Sequence, residues 1–372
     1  MVDKKIQYIL GKDTNVSQNA PVLELPQPEM PNSTSNSDHQ HGHIDRQVQA
    51  AGTIQQAKSN KNKPTASTTD ILQGVENLLN ASLAPSTLET YKRSWTLFQT
   101  FSNSYFEAPL SLPISVSVIA LFVGFLHQKA MSSKSICTYL SGISYVHKLS
   151  GEYDPTKHFL ISTLIKGTQR LSPSYDLRLP ITTTILDKLL AALKITSQSY
   201  FHEKLFSAMF LFAFNAFARC SEITKCKPST EPFILKLSDM NFISEAGQSF
   251  VSVTYRFYKH NCGKPHTITF SHGHAKTSAI TAMHDYIALR GQSPGPLFSL
   301  PSGQPVPRKL FDKQLKSTLS FCGINSDRYK SHSFRIGKAT DCAQRGYSDA
   351  KIRFLGRWNS NAFRKYIRVT EC

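Results

Sequence analysis

Acidic residues are scarce once the first seventy positions are passed. The 372-residue chain carries 43 Lys and Arg against 25 Asp and Glu, a formal charge of +18. Residues 1–70 hold seven of each sign, so the whole surplus lies in residues 71–372, where 36 basic side chains face 18 acidic ones. A surplus of that size points to a polyanion or an acidic membrane surface as partner. Paired cysteines are missing too. The seven Cys residues (Cys137, Cys220, Cys226, Cys262, Cys322, Cys342, Cys372) are odd in number, scattered and never in a CxxC pair. That usage argues against a disulfide framework or a zinc site and fits a reducing compartment. No signal-peptide pattern opens the chain, because the charges at Asp3, Lys4 and Lys5 have no long apolar core behind them. The longest apolar run, LFSAMFLFAFNAFA from Leu205, is too short to span a bilayer and ends in charge, so no membrane partner is expected. A P-loop and clustered carboxylates that would hold magnesium are also absent, and no cofactor or metal is expected.

What is present divides along the chain. The first 70 residues are rich in Asn, Gln, Ser, Thr and Pro and poor in large apolar groups. Such a segment cannot bury enough surface to offset its ordering entropy, so 1–69 is expected to be a disordered tail. DHQHGH (Asp38 to His43) reads as a metal-binding tract or a solvated polar one, and KSNKNKP from Lys58 as a linker or a weak nuclear signal. From residue 70 to 172 the chain shows five apolar stripes at helical spacing, separated by short polar breaks. They are ILQGVENLLNASL, TLETYKRSWTLFQTF after Pro85-Ser86-Thr87, VSVIALFVGFLHQKA, SSKSICTYLSGISYVHKLS and KHFLISTLIKGTQRL. This is a small all-helical domain. Its polar faces carry Lys92, Arg93, Lys134, Lys148, Lys166 and Arg170, which suit either a phosphate backbone or plain solvent.

Residues 173–180 compose a linker, and a second domain fills 181–372. ITTTILDKLLAALKI is amphipathic, and SYFHEKLFSAMFLFAFNAFARCSEIT is expected as one buried apolar helix. The period then changes. FVSVTYRFYKH and KPHTITF read as two strands joined at Asn261-Cys262-Gly263. Helices return with SAITAMHDYIALR, KLFDKQLKSTLSFCG and the closing stretch. The expected fold class is therefore mainly α with a small antiparallel hairpin or sheet.

The chemistry-bearing residues gather late. Between Ser331 and Arg368 stand nine Lys and Arg against two acids, with one His, one Trp and a Tyr near the end. Arg219 closes the apolar run, and a buried guanidinium demands an anion, either Glu222 three residues on or a bound phosphate. His332 and Arg335 share a face at i and i+3 of a helix start, a pairing that suits a phosphate. Ser348 reads as an N-cap for DAKIRFL, Gly356-Arg357-Trp358 as its close, and Ser360 as the cap of a last turn carrying Tyr366. Taken alone, Tyr366 could as well be core packing.

In order, ARCSEI, the hairpin FYKHNCGKPHTITF, HSFRIGKAT, LGRW and FRKYIR resemble the tyrosine recombinases of the phage-integrase superfamily over residues 70–372. The wording HSFRIG, GRW and AFxxYIR is most similar to recombinases of eukaryotic DIRS-type retrotransposons and Crypton elements. The resemblance implies a helical core-binding (SAM-like) domain at 70–172, an α-rich catalytic domain, double-stranded DNA as partner, a homodimer or tetramer on that DNA, and a nuclear location. It implies Tyr366 as nucleophile forming a 3′-phosphotyrosyl bond, with Arg219 and Arg335 clamping the non-bridging oxygens and Glu222 supporting Arg219. His332 then positions the phosphate and accepts a proton, Trp358 packs, and Lys259 is the general acid, with Lys264 and Lys276 as its neighbouring alternatives. The physics agrees, since a free phenol with a pKa of about 10 needs activation, and two guanidiniums with an imidazole stabilise both phenolate and transition state. Three activities stay open on sequence: a recombinase or integrase, a catalytically inactive domesticated DNA-binding protein, and a type IB topoisomerase.

Overall fold

The computed structural model describes residues 67–108, 110–173, 175–258, 263–271 and 278–368. Nearly all of the tail expected at 1–69, with its DHQHGH and KSNKNKP tracts, lies outside the described residues, and so do Lys259 and Lys276. The chain divides into two compact units between Ser174 and Tyr175.

Among the described residues the first unit holds five α-helices, each begun by a recognisable local signal. Helix α1 (Thr68–Ala81) opens on a capping box in which the Asp70 N–H donates to Ser67 Oγ and the Ser67 N–H to Asp70 Oδ2, both at 3.1 Å. Helix α2 (Pro85–Tyr105) starts with proline in its first turn, where the missing N–H is no loss. Ser115, Ser132 and His158 cap α3 (Val116–Gln128), α4 (Ser133–Leu149) and α5 (Phe159–Leu171) through their side chains. Phe98, Phe101, Phe122, Ile136 and Ile143 form the core. Helices α2 and α4 approach closely at Gly142, where a Cβ would stand 2.6 Å from the Ser94 Cβ.

The second unit is also mainly α. Helices α6 (Thr183–Thr196) and α7 (Tyr200–Asn215) precede the four-residue helix α8 (Cys220–Ile223). A three-stranded antiparallel sheet follows, in the order β1 (Met240–Glu245), β2 (Gln248–Tyr255), β3 (His266–Phe270). Its register pairs Met240 with Val253, Val251 with Phe270, and Tyr255 with His266. Helices α9 (Ala279–Arg290), α10 (Arg308–Phe321), α11 (Ser333–Gln344) and α12 (Asp349–Gly356) come next, and a 3₁₀ turn spans Asn361–Tyr366. Helix α7 is buried on nearly every side, with Phe206, Phe210, Phe212 and Phe214 in the core. Each such side chain contributes roughly 1.5–3 kcal/mol by its removal from water.

Two features differ from the sequence expectation. The apolar run from Ser199 is not one helix through Thr224. It stops at Asn215, Phe217 takes a left-handed φ of 48°, and α8 begins afresh after Arg219. The carbonyls freed by this break, at Ala216 and Phe217, accept protons from Tyr255, Arg335 and Arg357, so buried side chains replace the lost helical bonds. The sheet also has a strand beyond the expected hairpin. Strand β1 turns into β2 through Ala246 and Gly247, at φ 48° and 75°. Only Met240 of β1 is buried, so its sequence shows no alternation to read.

Of the expected linker, residues 175–180 belong to the second unit and have no regular structure. They are nevertheless held in place. The Leu179 N–H donates to the Arg328 carbonyl at 2.8 Å, and the Ile181 N–H to the Ser333 carbonyl at 3.1 Å. Apart from the main core, a small cluster of Phe217, Ala339, Cys342, Ile352 and Phe363 lies beneath the C-terminal segment, with Trp358, Tyr366 and Ile367 packed on it.

Candidate active site

The break after α7 sets the floor of the site. Arg219 stands immediately before α8, and Glu222 folds back on it. Its carboxylate accepts from the Arg219 backbone N–H at 2.7 Å and from Arg219 Nη1 at 2.9 Å. Of the two anions open to Arg219 on sequence, Glu222 is thus its partner in the protein itself. Glu222 is almost fully buried and holds a second cation, because Arg357 Nη2 donates at 2.7 Å to Oε2, the oxygen that also accepts the Arg219 N–H. Burial pushes the Glu222 carboxyl up, but Arg357 and then Arg219 outweigh it, and the group stays below the usual glutamate value.

Arg357 is the residue that sequence reading passed over as the close of a helix. It takes a left-handed φ of 55° after α12, which turns its side chain inward. Its guanidinium meets the Ala216 and Phe217 carbonyls at 3.2 Å each and lies 3.5 Å from the Tyr255 ring centroid. The only sequence signal for this role was an arginine at a C-cap position that usually favours glycine.

Arg335 emerges from the first turn of α11 into the same layer. It is 1 % exposed and donates its two terminal nitrogens to the Phe217 and Gly356 carbonyls. Its Nε is buried without a hydrogen-bond partner among the described residues. Burial, then Arg219 and Arg357, push its pKa down, and Glu222 pushes it up. The indole of Trp358 covers it, with the guanidinium carbon 4.1 Å from the ring centroid. Gly356 permits that cover, since a Cβ there would fall 1.6 Å from Trp358 Cζ3.

His332 and Tyr366 complete the group. Trp358 touches the tyrosine, with centroids 5.0 Å apart and planes at 62°. Arg335 lies 5.8 Å from the tyrosine ring centroid. Desolvation, followed by Arg178 and Arg335, pushes the His332 pKa down to about 4, so the ring is neutral at physiological pH. Tyr366 ends the 3₁₀ turn, half-buried, where Ser360 caps the turn through the Ala362 N–H at 3.3 Å.

The fold therefore draws Arg219, Glu222, His332, Arg335, Trp358 and Tyr366 together from four separate segments. Lys259 follows β2 outside the described residues. Lys92 and Arg93 lie on α2, Lys134 and Lys148 on α4, and Lys166 and Arg170 on α5, all in the first unit. Arg93 pairs with Glu89 at 3.4 Å and Lys148 with Asp154 at 3.5 Å, while Lys134, Lys166 and Arg170 are solvent-exposed. Sequence reading also missed Asp176, Arg178 and Arg368. The first two were hidden in a segment composed like a linker. Asp176 grips Arg178 through Nε at 2.7 Å and Nη2 at 2.9 Å, and Arg368 through Nη2 at 3.0 Å. The paired Arg178 hydrogen bond outweighs desolvation and holds the Asp176 carboxyl down at about 2.

No protein-family model and no curated protein sequence matches the chain. Solved structures do. XerH site-specific recombinase bound to palindromic difH substrate superposes with a TM-score of 0.54 at 17% identity, over 75% of each chain. The Tn1549 transposon integrase in complex with transposon right end DNA gives 0.55 at 11% identity, over 81% of this chain and 95% of that one. A lambda integrase dimer bound to a COC′ core site gives 0.52 at 15%, over 81% and 77%. At these identities the likeness is one of fold. The mainly α chain with its small antiparallel sheet has the fold of tyrosine recombinases and integrases.

Proposed function

We propose that the protein cleaves and rejoins DNA strands through a 3′-phosphotyrosyl intermediate, as a site-specific recombinase or integrase of a mobile element. The observation that carries this is the convergence of Arg219, His332, Arg335 and Trp358 around the half-buried Tyr366. The Tyr366 hydroxyl attacks the scissile phosphorus, a bond from its oxygen to the 3′ phosphate forms, and the bond to the 5′ oxygen breaks. Neutral His332 accepts the phenolic proton, while the leaving 5′ oxygen takes a proton from an acid, assigned on sequence to Lys259. Arg219 and Arg335 offset the charge that grows on the non-bridging oxygens. The new linkage is again a phosphodiester, so religation needs no outside energy. The +18 charge suits a DNA partner, and the solved proteins of this fold named above are themselves bound to DNA. The motif wording favours a relative of the DIRS-type and Crypton recombinases, nuclear, and dimeric or tetrameric on its DNA.

The test is a denaturing gel of the protein with labelled nicked duplexes, comparing wild type with Tyr366→Phe. A slow, protease-sensitive band formed by wild type alone supports covalent attachment through Tyr366. Equal yield from the variant removes Tyr366 from the mechanism. Binding without any adduct across diverse duplexes favours the inactive DNA-binding reading, and relaxation of supercoiled plasmid without sequence preference favours a topoisomerase.

A further inference from the structure

The carboxylate-and-two-arginines arrangement occurs twice around Tyr366. Glu222 joins Arg219, three residues before it, to Arg357 from the C-terminal region. Asp176 joins Arg178, two residues after it, to Arg368, two residues past Tyr366. In the inner set Glu222 and Arg357 are buried and Arg219 is largely so. In the outer set the side chains of Arg178 and Asp176 remain 41% and 35% exposed, so a ligand can reach them.

Arg178 is fixed on both sides. Asp176 anchors the chain before it to the segment that carries Tyr366, and Arg368 is itself held there by its N–H on Thr340 Oγ1 at 3.0 Å. After it, Leu179 and Ile181 are hydrogen-bonded to Arg328 and Ser333, which flank the turn carrying His332. Arg178 thus lies in a stretch of chain hydrogen-bonded on one side to the segment of Tyr366 and on the other to the residues around His332. It is the foremost cation pressing on His332, and Tyr366 in turn raises the Arg178 pKa. Among the described residues Arg178 hydrogen-bonds to Asp176 alone, through Nε and Nη2, leaving both Nη1 protons directed at no acceptor. Such a fork, oriented by a carboxylate along one edge and open along the other, is a pre-formed ligand for a phosphate oxygen.

The inner arginines are already heavily committed. Arg335 gives both terminal nitrogens to main-chain carbonyls, and Arg219 gives Nη1 to Glu222 and Nη2 to the Arg357 carbonyl at 3.4 Å. A phosphate in this site therefore finds fewer open guanidinium donors than the residue count suggests.

We infer that Arg178, held by Asp176, is an additional ligand of the scissile phosphate, supplied by the chain segment that enters the second unit. This rests on the phosphodiester chemistry proposed above. It is tested by single-turnover attachment to a pool of nicked duplexes of randomised sequence. The phosphate two nucleotides upstream of the nick is either native or a methylphosphonate, which lacks one negative charge. Arg178→Ala is expected to slow attachment to the native phosphate at least 10-fold with DNA affinity little changed, and Arg178→Lys to slow it less. On the methylphosphonate the Arg178→Ala defect is expected to shrink several-fold, because less charge needs to be met. A merely structural arginine would not follow the charge of the phosphate. Attachment by Arg178→Ala at the wild-type rate overturns the inference, as does a defect of equal size on both substrates. A Arg178→Ala protein that fails to fold leaves Arg178→Lys to decide by the same comparison. Wild type that forms no Tyr366-dependent adduct overturns the underlying chemistry instead, and the inference with it.

Discussion

The His332 imidazole and the Tyr366 ring lie 4.9 Å apart between centroids, with their planes tilted by 55°. With its pKa near 4, the imidazole can accept a proton throughout the physiological range. Covalent attachment should therefore show no histidine inflection at about 6.5, the ordinary value. Single-turnover rates between pH 8 and pH 5 test this, and a fall centred near 6.5 would contradict it. The same shift has a sign for stability. Below the unfolded value the unfolded chain takes up a proton that the native ring does not, so stability declines as pH falls from 6.5 through about 4. His332→Gln should flatten that part of the urea-midpoint profile.

Glu222→Gln should be strongly destabilising. It leaves Arg219 and the fully buried Arg357 without their shared counter-charge. Breaking one partner of a buried ion pair costs about 3–5 kcal/mol, which for a unit of this size lowers the melting temperature by roughly 10 °C. Calorimetry on the variant decides, and a shift of a degree or two would mean that the arginines find other acceptors.

Gly356→Ala and Gly337→Ala probe the backing of the site. A Cβ at Gly356 overlaps the Trp358 ring, and one at Gly337 falls 1.9 Å from the Ile181 carbonyl oxygen. The first is expected to push the indole off Arg335 and slow attachment about 10-fold or more, with a modest stability loss. At Gly337 the obstacle is backbone, so the loss should be mainly of stability, about 1–3 kcal/mol. Wild-type attachment by Gly356→Ala would show that the indole is dispensable.

Salt titration examines the first unit. If Lys134, Lys166 and Arg170 track phosphates, binding should weaken linearly in log salt, and each substitution by Ala should lower the slope by about one. A slope unchanged in all three variants would return these side chains to the role of solvated surface.

How much was legible in the sequence depended on whether a signal was local. Pro85 and Ser348 were readable as helix starts, because capping is decided within four residues, whereas the caps at Ser67, Ser115 and Ser132 were not singled out from the sequence. His332 and Arg335 were readable for the same reason. Arg357, Asp176, Arg178 and Arg368 were not, since each acquires its role from partners up to 192 positions away. The end of α7 was invisible in a run of apolar residues that all suit a helix. What ends it is the competition of distant arginines and Tyr255 for the Ala216 and Phe217 carbonyls.

The small cluster beneath the C-terminal segment has a consequence for timing. Trp358, Tyr366 and Ile367 rest on Phe217, Ala339, Cys342, Ile352 and Phe363, and not on the large core around α7. Detaching the 3₁₀ turn gives up those contacts and a few polar ones, such as Arg364 on Asp349 and Arg368 on Thr340, but none with the large core, so its amides should exchange with solvent deuterium faster than those of α7. Most of the cradle made by Arg219, Glu222 and Arg357 would survive that detachment. Under the proposed chemistry, the molecule can thus hold a strand before it is armed to cut it, with the withdrawal of one short turn acting as the safety catch.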